Sequence, residues 1–325
     1  MASLPRLFLR MLVAALLLLA GTAGAQAPGC PPAPPSPARF DMEEQARQAP
    51  DRGLLWQVEK DGRTSWLYGT VHVSRIDWRM PGPRTRAALA GSDVVALELD
   101  PADPELQRLL TRPTDAARSE RVLAGLKPRL SRLATRACIP PQGMAAMPPL
   151  LQLMTVSLFE GRRDGLHPEL AVDGVLWGMA QDLGKPFVPL ETAAGQLAAL
   201  TPQTEADERV LVLRGLQDLE SGEDRAVILR LLRAWSEGDE ATLASYPQWC
   251  KCLETPAEQR FYRRVNDERN DAIADRLAAL HATGQRFFAG VGALHMTGPK
   301  SLAALLRARG FEVRRIVFTP AATAP

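Results

Sequence analysis

The 325-residue sequence is short of several things, and each shortage narrows what the chain can be. It lacks a charge excess: 39 Lys and Arg stand against 37 Asp and Glu, a formal net charge of +2. Nucleic-acid binders carry a basic surplus to meet phosphates, so that partner class gains no support. After residue 25 the chain has no apolar run long enough to span a bilayer. A Gly-x-Ser-x-Gly elbow, a Walker A loop, a strand-linked Gly-x-Gly-x-x-Gly and a His-Glu-x-x-His helix are all missing. Serine hydrolase, nucleotide-binding and zincin readings therefore lose their usual grounds. Histidine occurs only four times and cysteine only four times, so any chemistry built on them rests on a few positions.

What is present begins with an export signal. Arg6 and Arg10 precede an apolar run over 11–20, and Ala23-Gly24-Ala25 supplies a small-x-small cleavage site. This predicts a signal peptide over 1–25, cut after Ala25, and a secreted or periplasmic mature chain. The two arginines leave with it, which brings the balance to 37 basic and 37 acidic residues. A lipid anchor on Cys30 is disfavoured by Pro28 and by its distance from the apolar run. Residues 26–50 are rich in Pro, Ala and Gln and read as a disordered linker. Residues 51–320 are enough for one large domain. Outside the cytoplasm, Cys30, Cys138, Cys250 and Cys252 should pair. Cys250-Lys251-Cys252 looks too tight for an easy internal bridge, which favours Cys138 bonded to one of that pair.

Apolar periodicity and turn residues predict strands at 54–59 and 63–70, around the hairpin signal Asp61-Gly62, and at 94–99, 186–190, 286–290 and 311–318. Helices are expected at 83–90, 103–111, 119–136, 149–160, 168–183, 193–200, 204–220, 223–237, 256–281 and 299–309. Within this pattern one unit occurs twice. A strand leads into Gly69…His72 and then Gly82-Pro83-Arg84-Thr85-Arg86-Ala87-Ala88-Leu89. A later strand leads into Gly292…His295 and then Gly298-Pro299-Lys300-Ser301-Leu302-Ala303-Ala304-Leu305. Each histidine thus lies just past a strand's C-terminal end, where open α/β sheets bind ligands. The glycine is expected to let the backbone turn tightly off the strand. His167 and His281 lack this setting and read as structural.

Two glutamates share it. Glu98 ends an apolar strand, and Glu191 follows Phe187-Val188-Pro189-Leu190. Imidazole and carboxylate together suit Zn, Mn, Co or Fe; without metal the same set could use a histidine as general base. On the 256–281 helix, Tyr262, Asn266, Arg269, Asn270 and Ile273 share one face, so Arg269 and Asn270 can aim polar groups at the site or lie on a salt-bridged outer face. Asp173 is an acid among Ala171, Val172, Val175 and Leu176.

Taken together, "LLWQVEKDGRTSWLYGTVHV", "VVALELD", "VDGVLWGMAQDLGKPFVPLET", "NDERN" and "GVGALHMTGPKSLAALLRARGFEV" resemble the TraB/PrgY/GumN family, which includes the Tiki proteases. The resemblance runs from about Leu54 to Val317. It implies an α/β fold of the erythromycin-esterase/ChaN-like type: a central mixed β-sheet flanked by helices, with a large helical insertion between the two Gly-x-x-His units. It also implies a site built from two Gly-x-x-His motifs and acidic residues, which in the Tiki branch is associated with divalent-metal peptidase activity. Carried onto this sequence, His72, Glu98 and His295 become the metal ligands (Mn, Co or Zn). Glu191 matches the family's "LET"; on the hydrolase reading one glutamate joins the ligands and the other, taken as Glu191, serves as general base, with Arg269 or Asn270 steadying a peptide or small-molecule substrate. Asp173 is less secure, because Ala171-Val172-Asp173 stands where Gly-Val-Asp is expected. The alternatives are a metal-free esterase-like hydrolase using a His base and a non-catalytic haem- or peptide-binding protein.

Overall fold

In the computed structural model the protein is described over residues 29–33, 42–112 and 114–318. The signal peptide expected over 1–25 lies outside the described residues, as does part of the 26–50 stretch, in which Met42–Gln48 is a helix. Six strands form one sheet: β1 (Leu54–Lys60), β2 (Arg63–Thr70), β3 (Val94–Leu97), β4 (Phe187–Pro189), β5 (Phe287–Gly292) and β6 (Glu312–Ile316). Their order is β4-β3-β5-β2-β1-β6. The fold is α/β, a mixed sheet flanked by helices.

The hairpin signal folds as read. Lys60 pairs with Arg63, and Asp61 and Gly62 both take positive φ, 51° and 70°. That is the two-residue turn whose twist matches the flanking strands. β1 is antiparallel to β2 and β6, whereas β2, β5, β3 and β4 run parallel. Four parallel strands therefore end at the same edge. Thr70 pairs with Gly292, so the segments carrying His72 and His295 leave the sheet side by side.

β3 and most of β5 are buried, as apolar parallel strands under helices should be. Trp56, Tyr68, Phe287, Phe288 and Trp235 are the largest side chains of this core. The Trp235 indole N–H donates to the Gly69 carbonyl at 2.8 Å, tying a helix to the end of β2. The helices between β3 and β5 have a second core of their own, with Leu130, Leu153, Val156, Phe159, Val212 and Leu216.

Several boundaries move for identifiable reasons. The segment expected at 119–136 is two helices, Ala116–Leu123 and Lys127–Arg136, broken where Gly125 takes φ +74°. The 256–281 segment is Pro256–Tyr262 and Glu268–Ala282 joined by a π turn, Arg263–Asp267. The two Gly-Pro units also part company. The first helix starts at Pro83, while the second starts at Leu302, after left-handed Gly298 and with Ser301 as its cap.

The four cysteines pair as expected, but the favoured partners are overturned. Cys30 bonds to Cys138, and Cys250 bonds to Cys252. The tight ring closes because Lys251 takes a left-handed φ of 54°.

The Pro83–Ala90 helix has no side-chain cap of its own at Gly82. Asp51 supplies one from outside, accepting from the Arg84 and Thr85 N–H groups at 3.0 and 3.4 Å. Asp51→Ala should lower stability by about 1 kcal/mol, as losing an N-cap does. Urea unfolding of the two proteins measures it, and an unchanged midpoint would refute the assignment.

Candidate functional site

The C-terminal edge of the four parallel strands gathers one residue from each. Glu191 follows β4, Glu98 follows β3, His295 follows β5 and His72 follows β2. They converge around Gly292. A Cβ placed there would lie 3.4 Å from Glu98 Oε1, 3.4 Å from His295 Cδ2 and 3.9 Å from His72 Nε2. The motif glycines do not serve as expected, since neither Gly69 nor Gly292 takes a left-handed φ. They supply space. A Cβ on Gly69 would press on the Ala293 backbone at 3.2 Å, and one on Gly292 would project among the site's functional groups.

His72 is held from one side. Its Nδ1 lies 3.0 Å from Asp173 Oδ2, and the Thr70 hydroxyl donates to Asp173 Oδ1 at 2.6 Å. Against a carboxylate Nδ1 carries the hydrogen, so in the neutral ring Nε2 keeps its lone pair. Asp173 is thus a site residue. Its charge raises His72 to about 9, although the ring is 65% exposed and water screens part of that pull. A group raised this way stabilises the fold fully below the ordinary imidazole value of 6.5 and loses that contribution as pH rises through about 9. Asp173→Asn should bring the His72 titration, followed by NMR, back toward 6.5. An unmoved midpoint would contradict the pairing.

His295 is buried and held differently. Its Nδ1 is 2.6 Å from Asn270 Oδ1, while Asn270 Nδ2 donates to the Lys300 carbonyl at 2.8 Å. With its amide so oriented, Asn270 accepts from Nδ1–H, and Nε2 is again the free nitrogen. That atom faces Arg269 Nη1 at 3.3 Å. Burial lowers His295 to about 4, so the ring is neutral at pH 7.

Arg269 lies at the centre. Its Nε donates to Glu191 Oε1 at 2.9 Å, Nη2 donates to Glu98 and Glu191, and Nη1 donates to the Val265 carbonyl at 3.0 Å. With His295 Nε2 as the fifth acceptor, all five guanidinium N–H groups are engaged. Burial alone would lower Arg269, but the two glutamates overcome this and hold it above its ordinary value. Burial alone would raise Glu98. The charges of His295, His72 and Arg269, with the Gly292 N–H at 2.8 Å, outweigh it and hold Glu98 at about 2. Since His295 is neutral at pH 7, the standing cations acting on Glu98 are Arg269, bonded to it directly, and His72.

The π turn Arg263–Asp267 immediately precedes this arginine. One extra residue in a turn swings the succeeding side chains by about 100°, and such turns are frequent at functional sites. Asn266, Asn270 and Ile273 are buried and Arg269 nearly so, which puts this face inward rather than on a salt-bridged exterior. Gln196 went unseen in the sequence. It donates to Glu98 Oε2 at 2.9 Å and reaches Glu191 Oε2 at 3.5 Å. Its amide sits on a helix without any local signature, so only the fold reveals it.

The other two histidines stay out of the site. His167 is buried, with its backbone bridged to Ser74. His281 is buried against Arg63, and burial lowers it, so it is not the helix-end cation its position suggests.

As the side chains stand, no group of three or more His, Cys, Asp or Glu among the described residues closes around a metal ion. The donor types nevertheless fit one. Both Nδ1 atoms are occupied by Asp173 and Asn270, which is how metal-binding histidines are oriented. Both Nε2 atoms and the Glu98 carboxylate could then serve as donors, once His72 is deprotonated and Arg269 releases His295 and Glu98.

The uncharacterized protein YbaP of Shigella flexneri is 25% identical over 251 residues, covering 75% of this chain and 88% of that one. The uncharacterized protein YbaP of Escherichia coli (strain K12) is 24% identical over 247 residues, covering 74% and 87%. No solved structure matches. The TraB/PrgY/gumN family matches over residues 54–315, from the first residue of β1 to the next-to-last of β6, and the chain belongs to that family.

Proposed function

We propose that the protein is an exported hydrolase acting on a peptide or small-molecule carbonyl, with divalent-metal dependence. One observation carries the reading: His72 Nε2, the Cδ2 edge of the His295 ring and a Glu98 carboxylate oxygen all lie within 3.9 Å of a Cβ placed on Gly292, with each imidazole held through its Nδ1. His72, His295 and Glu98 would hold the ion, which when bound would polarise a carbonyl and acidify water.

The remaining residues have definite work. Asp173 and Thr70 fix the tautomer of His72, and Asn270 fixes that of His295. Arg269 neutralises two buried carboxylates and has no N–H to spare for a substrate. Arg269 and Asn270 are therefore positioning residues in this reading. Glu191, bound through both oxygens by Arg269, would act as a base only after that contact loosens. His72 is the exposed group that can meet a substrate directly.

That exposure supports a second reading, a metal-free hydrolase in which the Asp173–His72 pair is the general base. Metal analysis of the mature protein, purified without chelator, separates the two. Stoichiometric metal that disappears in His72→Ala and His295→Ala, with activity restored by Mn, Co or Zn, supports the first. Activity that survives EDTA and dies with His72→Ala supports the second. A Soret band on haem addition, or peptide retained uncleaved, would reject hydrolysis.

A further inference from the structure

The Cys250–Cys252 bridge lies apart from the histidine site and is unlike the other disulfide. It encloses a single residue, against a separation of 108 for Cys30–Cys138. Closing so small a ring forces Lys251 to φ +54°, a conformation costly to any residue with a Cβ. Among the described residues no backbone hydrogen bond holds Lys251 in that state. Cys138 also has positive φ, 55°, but for a different reason. It follows the Lys127–Arg136 helix, whose last turn it closes through Cys138 N to Thr135 O and Ile139 N to Ala134 O. That geometry belongs to the helix end and outlasts reduction. For Lys251 the ring is the only constraint of this kind among the described residues.

The two sulfurs also differ. Cys250 is 3% exposed, whereas Cys252 is only half-buried and sits beside exposed Lys251. The Cys252 N–H donates to Cys250 Sγ at 3.1 Å, and the Tyr246 hydroxyl reaches Cys252 Sγ at 3.4 Å. We propose that Cys250–Cys252 is a thiol–disulfide exchange site that oxidises a peptide or protein dithiol, while Cys30–Cys138 is structural.

The step balances without another reagent. A thiolate of the dithiol attacks Cys252 Sγ, a new S–S bond forms there, and the Cys250–Cys252 bond breaks. The electron pair leaves on Cys250 Sγ, where the Cys252 N–H already points. The partner's second thiolate then attacks its own sulfur in the mixed disulfide and expels Cys252. The partner is oxidised by two electrons, the chain is reduced by two, and the two protons pass to Cys250 and Cys252. Relief of the Lys251 strain favours this direction, as strained bridges are the more oxidising ones.

The test equilibrates the full mature protein in a series of reduced and oxidised glutathione mixtures, followed by acid quench, alkylation and mass spectrometry of both cysteine pairs. Cys250 and Cys252 should become dithiol in mixtures that leave Cys30–Cys138 oxidised. Lys251→Gly, which accepts positive φ freely, should shift that equilibrium about five- to thirtyfold toward the disulfide. Cys250→Ser should carry its glutathione adduct on Cys252. The proposal is overturned if both bridges reduce together or only in denaturant, if Lys251→Gly leaves the constant unchanged, or if Cys252 takes up no glutathione.

Discussion

Arg269→Ala should cost about 3–5 kcal/mol at pH 7, the usual penalty for stranding a buried charge. The guanidinium is 11% exposed and bridges Glu98, 8% exposed, to Glu191, 12% exposed. Without it, two carboxylates that share one guanidinium nitrogen and one glutamine face each other unneutralised. Like charges that close cannot both stay ionised cheaply. The pH dependence gives the prediction its sign. Glu98 is held at about 2 in the intact site, below its ordinary 4.5. Its stabilising contribution is present above 4.5 and disappears as pH falls through about 2. The variant lacks Arg269's share of that contribution, with those of His72 and the Gly292 N–H remaining, so the gap between variant and wild type should narrow on acidification. Urea unfolding of both at pH 7 and pH 3 measures it. Arg269→Lys keeps the charge but not the five-donor fork, and should recover only part of the loss. A deficit below about 1 kcal/mol, or one that stays constant with pH, would mean that the cluster is looser than its hydrogen bonds imply.

Much of that cluster was legible in the sequence, because strand ends are legible. Apolar runs of 4–8 residues mark buried strands, and a polar residue at once after such a run marks an edge. Glu98 and Glu191 have that signature, and His72 and His295 follow within three residues of their strands. The repeated Gly-x-x-His told that two of them belong together, and parallel pairing of β2 with β5 is why they do. What stayed hidden depends on contacts distant in sequence. Gln196 and Glu98 are 98 residues apart, and nothing near Gln196 announces the partnership. Asp173 stood out as an acid among apolar neighbours, but its partners His72 and Thr70 are set by how the Val172–Asp182 helix packs on the sheet. The same holds for Arg269, whose aim depends on a π turn that period-3.6 reading treats as ordinary helix. The cysteines failed for a local reason instead. A ring judged too tight was closed by one residue in a conformation rarely granted to lysine.

His72→Ala should lower kcat/KM by about 10²–10⁴-fold, whether the imidazole serves as base or ligand, since both roles require its neutral Nε2. The assay is the best substrate from a panel of fluorogenic peptides and nitrophenyl esters. Asp173 makes the outcome more diagnostic than simple loss. By raising His72 toward 9, it keeps the ring protonated at pH 7, so activity should climb with pH along an alkaline limb. Exposure of the ring places that limb's midpoint between the ordinary 6.5 and 9. Asp173→Asn removes the charge and should draw the midpoint down toward 6.5, while lowering the plateau because Nδ1 loses the partner that fixes the tautomer. Thr70→Val, which removes only the hydroxyl donated to Asp173, should move the midpoint slightly upward, as the carboxylate is then less satisfied by other donors. Opposite shifts from two neighbouring substitutions are hard to produce by general loosening of the fold. If instead His72→Ala retains more than a tenth of wild-type activity, the reacting group lies elsewhere on the strand edge, and buried His295 becomes the first candidate.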